Sequence, residues 1–405
     1  MKNKARLSVI FVTVFIDLMG FGILIPILPT FASNQLGISD TGIGVIVGVF
    51  SLVQFLFNTF LGKLSDRIGR RPILLSTLLM TCSSYIIFSF SDSFFLLFLS
   101  RLIAGFGGSN IGVAQAYIAD VTSKQERAKG MGMIGAAFGL GFVFGPIIGG
   151  LLSVYGYAVV GFASASFSLM AFLFAFFFLP ESVKEFDKSK KLNFRIIDVK
   201  EIASVFANNF FVGMLIFIFF ITIFSVANIY GTYSILGNKY YGFTDQQNGY
   251  LFGVMGIVGA VIQGGAIKQL SAKFSEKGLV LSGMGFMIAG LGFIPFGRGF
   301  VDEAVIVALL SVGTGIIQPT IMSMISKYSP DHEQGKILGM NQSLAALGRV
   351  FGPLWGGFSY DYFGYRFPFL TGALFTFLAL IIAVYVLNSQ NKSDFDDNGT
   401  IEENV

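Results

Sequence analysis

The chain has 405 residues, of which 54% are hydrophobic and only 12% charged, with 48 phenylalanines and 50 glycines. That charge content is about half that of an average soluble domain, too little to coat the two or three water-soluble domains this length would make. The net charge of +4 comes from cations clustered between apolar stretches, which excludes a nucleic-acid-binding stripe.

Apolar stretches of this length read as membrane-crossing helices, because about 20 residues at about 1.5 Å each span about 30 Å of hydrocarbon. In chain order they cover residues 7–31, 41–62, 72–90, 93–119, 130–154, 158–179, 207–236, 249–270, 278–296, 301–325, 336–358 and 367–387. The basic start, Met1 to Arg6, resembles a signal peptide. The apolar run behind it contains Asp17 and has no small-residue cleavage site, so it is expected to stay as the first span. Phenylalanine and glycine suit such helices, the one toward lipid and the other where backbones meet.

Alternate connections carry the charge. The N-terminus, residues 63–71, 124–129, 184–200, 268–277 and 327–336, and Lys392 together hold 22 of the 27 Lys and Arg. The other side has Lys239, Arg298 and Arg366, and Arg101 and Arg349 lie within spans. The positive-inside rule then puts both termini in the cytoplasm. His332, between Asp331 and Glu333, reads as a solvated loop residue. The single cysteine, Cys82, excludes an intramolecular disulfide.

The chain also repeats itself. Gly141-Phe-Val-Phe-Gly-Pro-Ile-Ile-Gly-Gly150 matches Gly348-Arg-Val-Phe-Gly-Pro-Leu-Trp-Gly-Gly357 at seven of ten positions, displaced by 207. The same offset pairs Glu126 with Glu333, Lys129 with Lys336 and Gly132 with Gly339. This predicts an all-α integral membrane fold of twelve helices in two pseudo-symmetric six-helix halves, residues 1–180 and 207–387. Residues 181–206 form the expected central cytoplasmic linker, and the acidic stretch 388–405 the expected disordered tail.

After the second span the sequence reads Gly62-Lys-Leu-Ser-Asp-Arg-Ile-Gly-Arg-Arg-Pro72. It predicts a tight cytoplasmic loop in which Gly69 takes positive φ and Pro72 enters the first turn of the next helix. Asp66 and Arg70 are four residues apart and close enough to pair. Asp120, ending the fourth span, is a second partner for Arg70.

This segment, with Arg67 and Arg71, resembles the cytoplasmic motif G-x-x-x-D-R-x-G-R-R of the major facilitator superfamily. Asp17, Gly20, Gly22, Pro26 and Pro29 resemble the first span of its drug:proton antiporter branch, which includes tetracycline-efflux-like proteins. Arg101 and Gly105 resemble that branch's fourth-span motif, and Gly141, Gly145, Pro146, Gly149 and Gly150 its antiporter helix. The resemblance runs from the first span to the twelfth. It also implies that Asp66 faces the N-terminus of the eleventh helix near residues 336–339. The second-half counterpart of the loop departs from the pattern, with Ala272 in place of the aspartate and Ser275 in place of the glycine.

Ionisable residues inside spans are costly and mark function by default. Only Asp17, Arg101 and Arg349 lie well inside. Asp17 is the candidate for proton or substrate coupling. Arg101 reads equally as partner of that site and as half of an interhelical pair, and Arg349, beside the packed Gly352-Pro353, reads as structural or as part of the coupling site. Gln54, Asn58, Asn110, Gln115, Asn228, Gln263, Gln318, Asn341 and Gln342 are cavity-lining candidates, each equally an interhelical hydrogen bond.

The resemblance implies a monomeric secondary transporter in the plasma membrane, the inner membrane of a bacterium. It would exchange protons for amphipathic organic compounds or drugs by alternating access, with small molecules, protons and lipid as its partners. A proton symporter or facilitator for a sugar or other metabolite is the alternative, and a non-transporting receptor the remaining one. No nucleophile–base pair, metal cluster or phosphate-binding loop is present, so neither an enzyme nor a cofactor or metal is expected.

Overall fold

The computed structural model describes residues 2–123, 126–183, 199–330 and 333–399. Those residues form helices joined by short turns. α1 (Lys2–Leu24) and α2 (Ile27–Asn34) share the first crossing. Pro26 divides them because it lacks the N–H that would continue the ladder. α3 (Asp40–Ile68), α4 (Arg70–Ser89), α5 (Phe94–Gly107) and α6 (Ile111–Val121) follow, the last two separated by a 3-10 turn at Gly108–Asn110. α7 (Arg127–Ser153) and α8 (Tyr157–Phe178) complete the first group.

α9 (Val199–Asn208) leads into α10 (Phe210–Ala227) and α11 (Ile229–Tyr241), which break at Asn228. α12 (Asp245–Val261) widens into a π turn at Ile262–Ala266 before α13 (Ile267–Lys273). α14 (Glu276–Phe293), α15 (Phe300–Lys327), α16 (Gln334–Phe363) and α17 (Phe367–Gly399) end the order. The starts of α3, α12 and α14 are fixed by Ser39, Thr244 and Ser275, whose side chains accept from backbone N–H groups of the first turn.

Among the described residues, eleven helical segments are long and apolar enough to cross a membrane. α16 occupies the place of the remaining expected span. It is 30 residues long but carries Asn341, Gln342, Ser343 and Arg349, which dilute its apolar character. The second crossing extends beyond the expected 41–62. Helix α3 runs to Ile68, and the expected loop shrinks to Gly69, with φ of 105°. Pro72 lies in the first turn of α4, as predicted.

The expected disordered tail begins within α17, whose helical path continues to Gly399. Residues 400–405, His332 and residues 184–198 of the expected linker lie outside the described residues.

Helix α1 packs on α7 and α8, α4 on α5 and α8, and α3 on α5. In the second group α14 packs on α15 and α17, α10 on α16 and α17, and α12 on α15. One apolar cluster, around Ile10, Leu78 and Tyr117, lies within the first group; another, around Leu215, Met284 and Leu310, lies within the second. Phenylalanines on α8 (Phe176, Phe177, Phe178) and apolar residues on α17 (Leu374, Phe377, Ile381) are exposed, a surface suited to lipid tails. Lipid removes most hydrophobic drive between helices, so association rests on close backbone packing.

That packing is made by glycine. A Cβ on Gly145 would stand 2.6 Å from the Gly22 Cα, and one on Gly141 2.9 Å from the Leu18 Cβ. In the repeat, Gly348, Gly352 and Gly356 meet Phe224, Ala227 and Asn228 of the α10 crossing in the same way. The last glycines of the two copies turn to the other group: Gly150 abuts Gln246 of α12, and Gly357 abuts Asp40 of α3. The carbonyls of Pro146 and Pro353 sit against Gly249 and Gly44. The 207-residue sequence repeat is therefore also a repeat of contacts.

Candidate functional site

The two groups meet chiefly through α3 with α16 and α7 with α12. The contacts concentrate at the end opposite the Gly62–Pro72 segment. Gly44, Gly48, Gly150, Gly253 and Gly256 all face the other group at contact distance. Further toward the basic end, a Cβ on Gly62, Gly132, Gly135, Gly264, Gly265, Gly335 or Gly339 would meet nothing within 4 Å. The glycines of these helices that touch the other group thus lie toward the end opposite the basic segment.

Asp17 lies on α1, only 6% exposed. One carboxylate oxygen accepts from Asn110 Nδ2 at 3.0 Å, and the other accepts from Ser168 Oγ at 3.1 Å. Asn110 is the last residue of the 3-10 turn between α5 and α6. The structure thus joins two sequence candidates, Asp17 and Asn110. Ser168 carried no signal, being one of many serines in apolar helices.

Arg101 is also buried, but among the described residues no ion pair joins it to Asp17. Its guanidinium lies over the Phe50 ring at 4.7 Å, a cation–π arrangement. Its Nε is buried without a hydrogen-bond partner. Tyr85, 1% exposed, lies within electrostatic range of both Asp17 and Arg101. Arg349 is half-buried in α16, with Tyr230 as its electrostatic neighbour.

The polar candidates divide. Gln54 donates to the Gly108 carbonyl at 2.8 Å, and Asn58 accepts from the Gly112 N–H at 3.2 Å, so both pin α3 to the α5–α6 crossing. Asn228 is fully buried and donates to the Ser225 and Pro368 carbonyls, tying α10 to α17. Asn341 is buried against the Met322 sulfur. Gln115 and Gln263 are exposed and Gln318 half-buried. Gln263 sits in the π turn, beside Gly264 and Gly265 in open space.

At the basic end Arg70 is the hub. Its Nε bonds Asp120 at 3.0 Å, its Nη1 bonds Ser65 at 2.6 Å and the Gly62 carbonyl at 3.3 Å, and its Nη2 pairs with Asp66. The backbone N–H groups of Arg70 and Arg71 donate to Glu181 at 3.0 and 3.1 Å. Glu181 was not a sequence candidate; an acidic residue just past the sixth span on the cationic side was its only signal. Gly69 leaves room for that carboxylate, which a Cβ would strike. Arg71 also donates to the Phe176 carbonyl at 2.6 Å, and Arg67 occupies the last turn of α3. In the second half, Ser275, which replaces Gly69, serves as the N-cap of α14.

A further carboxylate emerges near the opposite end. Glu303, in the first turn of α15, is fully buried and accepts from the Tyr233 hydroxyl at 3.0 Å. Its position near the expected start of the tenth span hid it.

Membrane-length helices packed into a bundle, with a carboxylate and a guanidinium buried among them, define an α-helical integral membrane protein. The sequence profile of the Major Facilitator Superfamily matches residues 10–308 and 303–402, and the chain belongs to that family. It is 29% identical to the class B tetracycline resistance protein of Escherichia coli over 85% of each chain. It is 28% identical to multidrug resistance protein 1 of Bacillus subtilis (strain 168), over 94% of this chain and 97% of that one. The crystal structure of the human organic anion transporter MFSD10 superposes with a TM-score of 0.69 at 24% identity, covering 95% of this chain and all of that chain.

Proposed function

We propose that the protein exports small amphipathic organic compounds in exchange for protons, by rocking two six-helix halves, residues 1–180 and 207–387, about a central site. Its residence is a bacterial inner membrane, as a monomer with both termini and the 181–206 linker in the cytoplasm. The 22-to-3 asymmetry of cations between alternate connections supports that orientation.

The observation that carries the reading is Asp17, a carboxyl buried in α1 with hydrogen-bond donors from two other crossings. A buried ionisable group in a transporter marks a proton or substrate pathway. Asp17 is the proton carrier, and Arg101, one face on Phe50 and one nitrogen unpaired, is the cation that alternately approaches it. Arg349 is its second-half companion. The resemblance to tetracycline and multidrug resistance proteins supports drug-like cargo.

The test is flux in proteoliposomes under an imposed pH gradient, with tetracycline and an amphipathic dye as probes. Export against a concentration gradient, driven by inward proton flow, is expected. Accumulation in the same direction as protons would establish symport instead.

A further inference from the structure

Helices α3 and α16 are antiparallel neighbours. Asp40 meets Asp361 and Gly357, Gly44 meets Gly357 and Pro353, and Gly48 meets Val350. At the closed end the Asp361 carboxylate, in the last turn of α16, serves the start of α3. It accepts from the Asp40 N–H at 3.2 Å, from the Thr41 N–H at 2.7 Å and from the Thr41 hydroxyl at 2.6 Å.

The first four N–H groups of a helix have no partner within it. Ser39 takes the Gly42 N–H at 3.2 Å, as an ordinary local cap. Two more of the four are taken by a residue that arrives from the other half. The positive end of the helix dipole further favours this carboxylate. Around it, Lys239 of α11 stands 3.6 Å from Asp40, and Asn238 accepts from Asn34 at 3.0 Å. Apart from the local Ser39 cap, each of these contacts joins the two groups of helices at the same end.

The antiparallel register has a second consequence. By residue count alone, the same register continued along the pair would bring Asp66, near the C-terminus of α3, level with the first turn of α16, the placement that the family resemblance implies. Each helix thus carries a terminal carboxylate in register with the other's N-terminus, at opposite ends of the pair. In this structure the Asp361 end is engaged.

We propose that Asp361 is the lock of the end opposite the basic loop. Its hold on the N-terminus of α3 stabilises the state closed on that side and must be released for the site to open there. The proposal rests on the alternating-access reading above. It adds a residue that the sequence motifs do not contain, and it makes the α3–α16 pair a device with one cap per side. Asp361 is a positioning residue, since it acts on the equilibrium between states and not on cargo or proton.

The experiment uses the full-length protein in nanodiscs with Cys82→Ser and spin labels on Asp92→Cys and Asp302→Cys, both exposed positions. Asp361→Ala should raise the ratio of open to closed populations at that end by about tenfold, the scale of losing a helix cap. Asp361→Asn, which keeps one acceptor oxygen, should fall between Asp361→Ala and the parent, and Thr41→Val should weaken the lock without removing it. Asp66→Asn should shift the distribution in the other direction.

A lower melting temperature in Asp361→Ala with an unchanged distance distribution would make Asp361 a helix cap only and overturn the proposal. If Asp361→Ala, Asp66→Asn and added tetracycline all leave the distribution unchanged, it is the alternating-access reading that fails.

Discussion

The Asn110 amide donates to the Asp17 carboxylate across 3.0 Å, and it does so from a 3-10 turn that interrupts the fourth crossing. Asp17→Asn keeps the size of the side chain and removes its ability to exchange a proton. The protein should insert and bind cargo, while uphill transport driven by a pH gradient falls by at least about tenfold. Flux with and without the gradient, in the same vesicles, measures this. Undiminished uphill transport would place the coupling group elsewhere.

Asn110→Leu is the complementary change. It leaves a buried carboxylate oxygen without its donor, a loss of about 1–3 kcal/mol. The melting temperature should fall and the pH profile of transport should move. Asn110→Ser, a shorter donor, should restore part of both. A variant that changes neither quantity would show that Ser168 alone positions Asp17.

Arg70→Lys tests the hub at the basic end. The guanidinium serves Asp66, Asp120, Ser65 and the Gly62 carbonyl from one planar fork, and a lysine offers a single point of charge. A loss of about 1–3 kcal/mol in stability is expected, with reduced transport at normal membrane insertion. Thermal unfolding and vesicle flux read the two effects separately. Wild-type behaviour would reduce the hub to a topology anchor.

Two glycines of one helix should respond differently. Gly145 packs inside the first group, its missing Cβ 2.6 Å from the Gly22 Cα, so Gly145→Val should impair folding. Gly150 faces the other group, its missing Cβ 2.9 Å from the Gln246 Cα. Gly150→Val should fold and instead disfavour the state closed at that end. Melting temperature and cysteine accessibility at Thr244 distinguish the outcomes. Equal destabilisation by both would contradict the distinction.

Topology is tested by single cysteines in a Cys82→Ser background. Those at Asp92 and Thr244 should react only with external reagent, and those in residues 181–201 only from the cytoplasm. External labelling of the central segment would refute the proposed orientation.

Much of this was legible in the sequence. Apolar length located the crossings, and the repeated Gly-Pro element located the backbone contacts of α7 and α16. Asp17, Arg70 and Asp120 stood out because charge near or within a span is rare. The contacts of Glu181, Asp361 and Glu303 were hidden because each carboxylate lies near a helix end, where charge is ordinary. Only the fold shows which distant backbone it serves: Arg70 and Arg71 for Glu181, Asp40 and Thr41 for Asp361. The extent of α3 was misjudged because Lys63, Asp66 and Arg67 look like loop residues by polarity, while helix geometry tolerates them once the chain has left the hydrocarbon.

The seams between the halves have a mechanical character. At Gly44, Gly150, Gly249 and Gly357 the opposing surfaces are bare backbone, with Pro146 and Pro353 carbonyls as the raised points. At those four points there are no rotamers to unlock and no interdigitating teeth to lift clear, whereas at Gly48 and Gly253 the side chains of Leu354 and Ile147 bear on the seam. The bare-backbone surface is closer to a plain bearing than to a gear. On the rocking mechanism proposed above, friction at these points would be low, and the resistance that sets the dwell time in each state would be left to the few polar contacts at the rim.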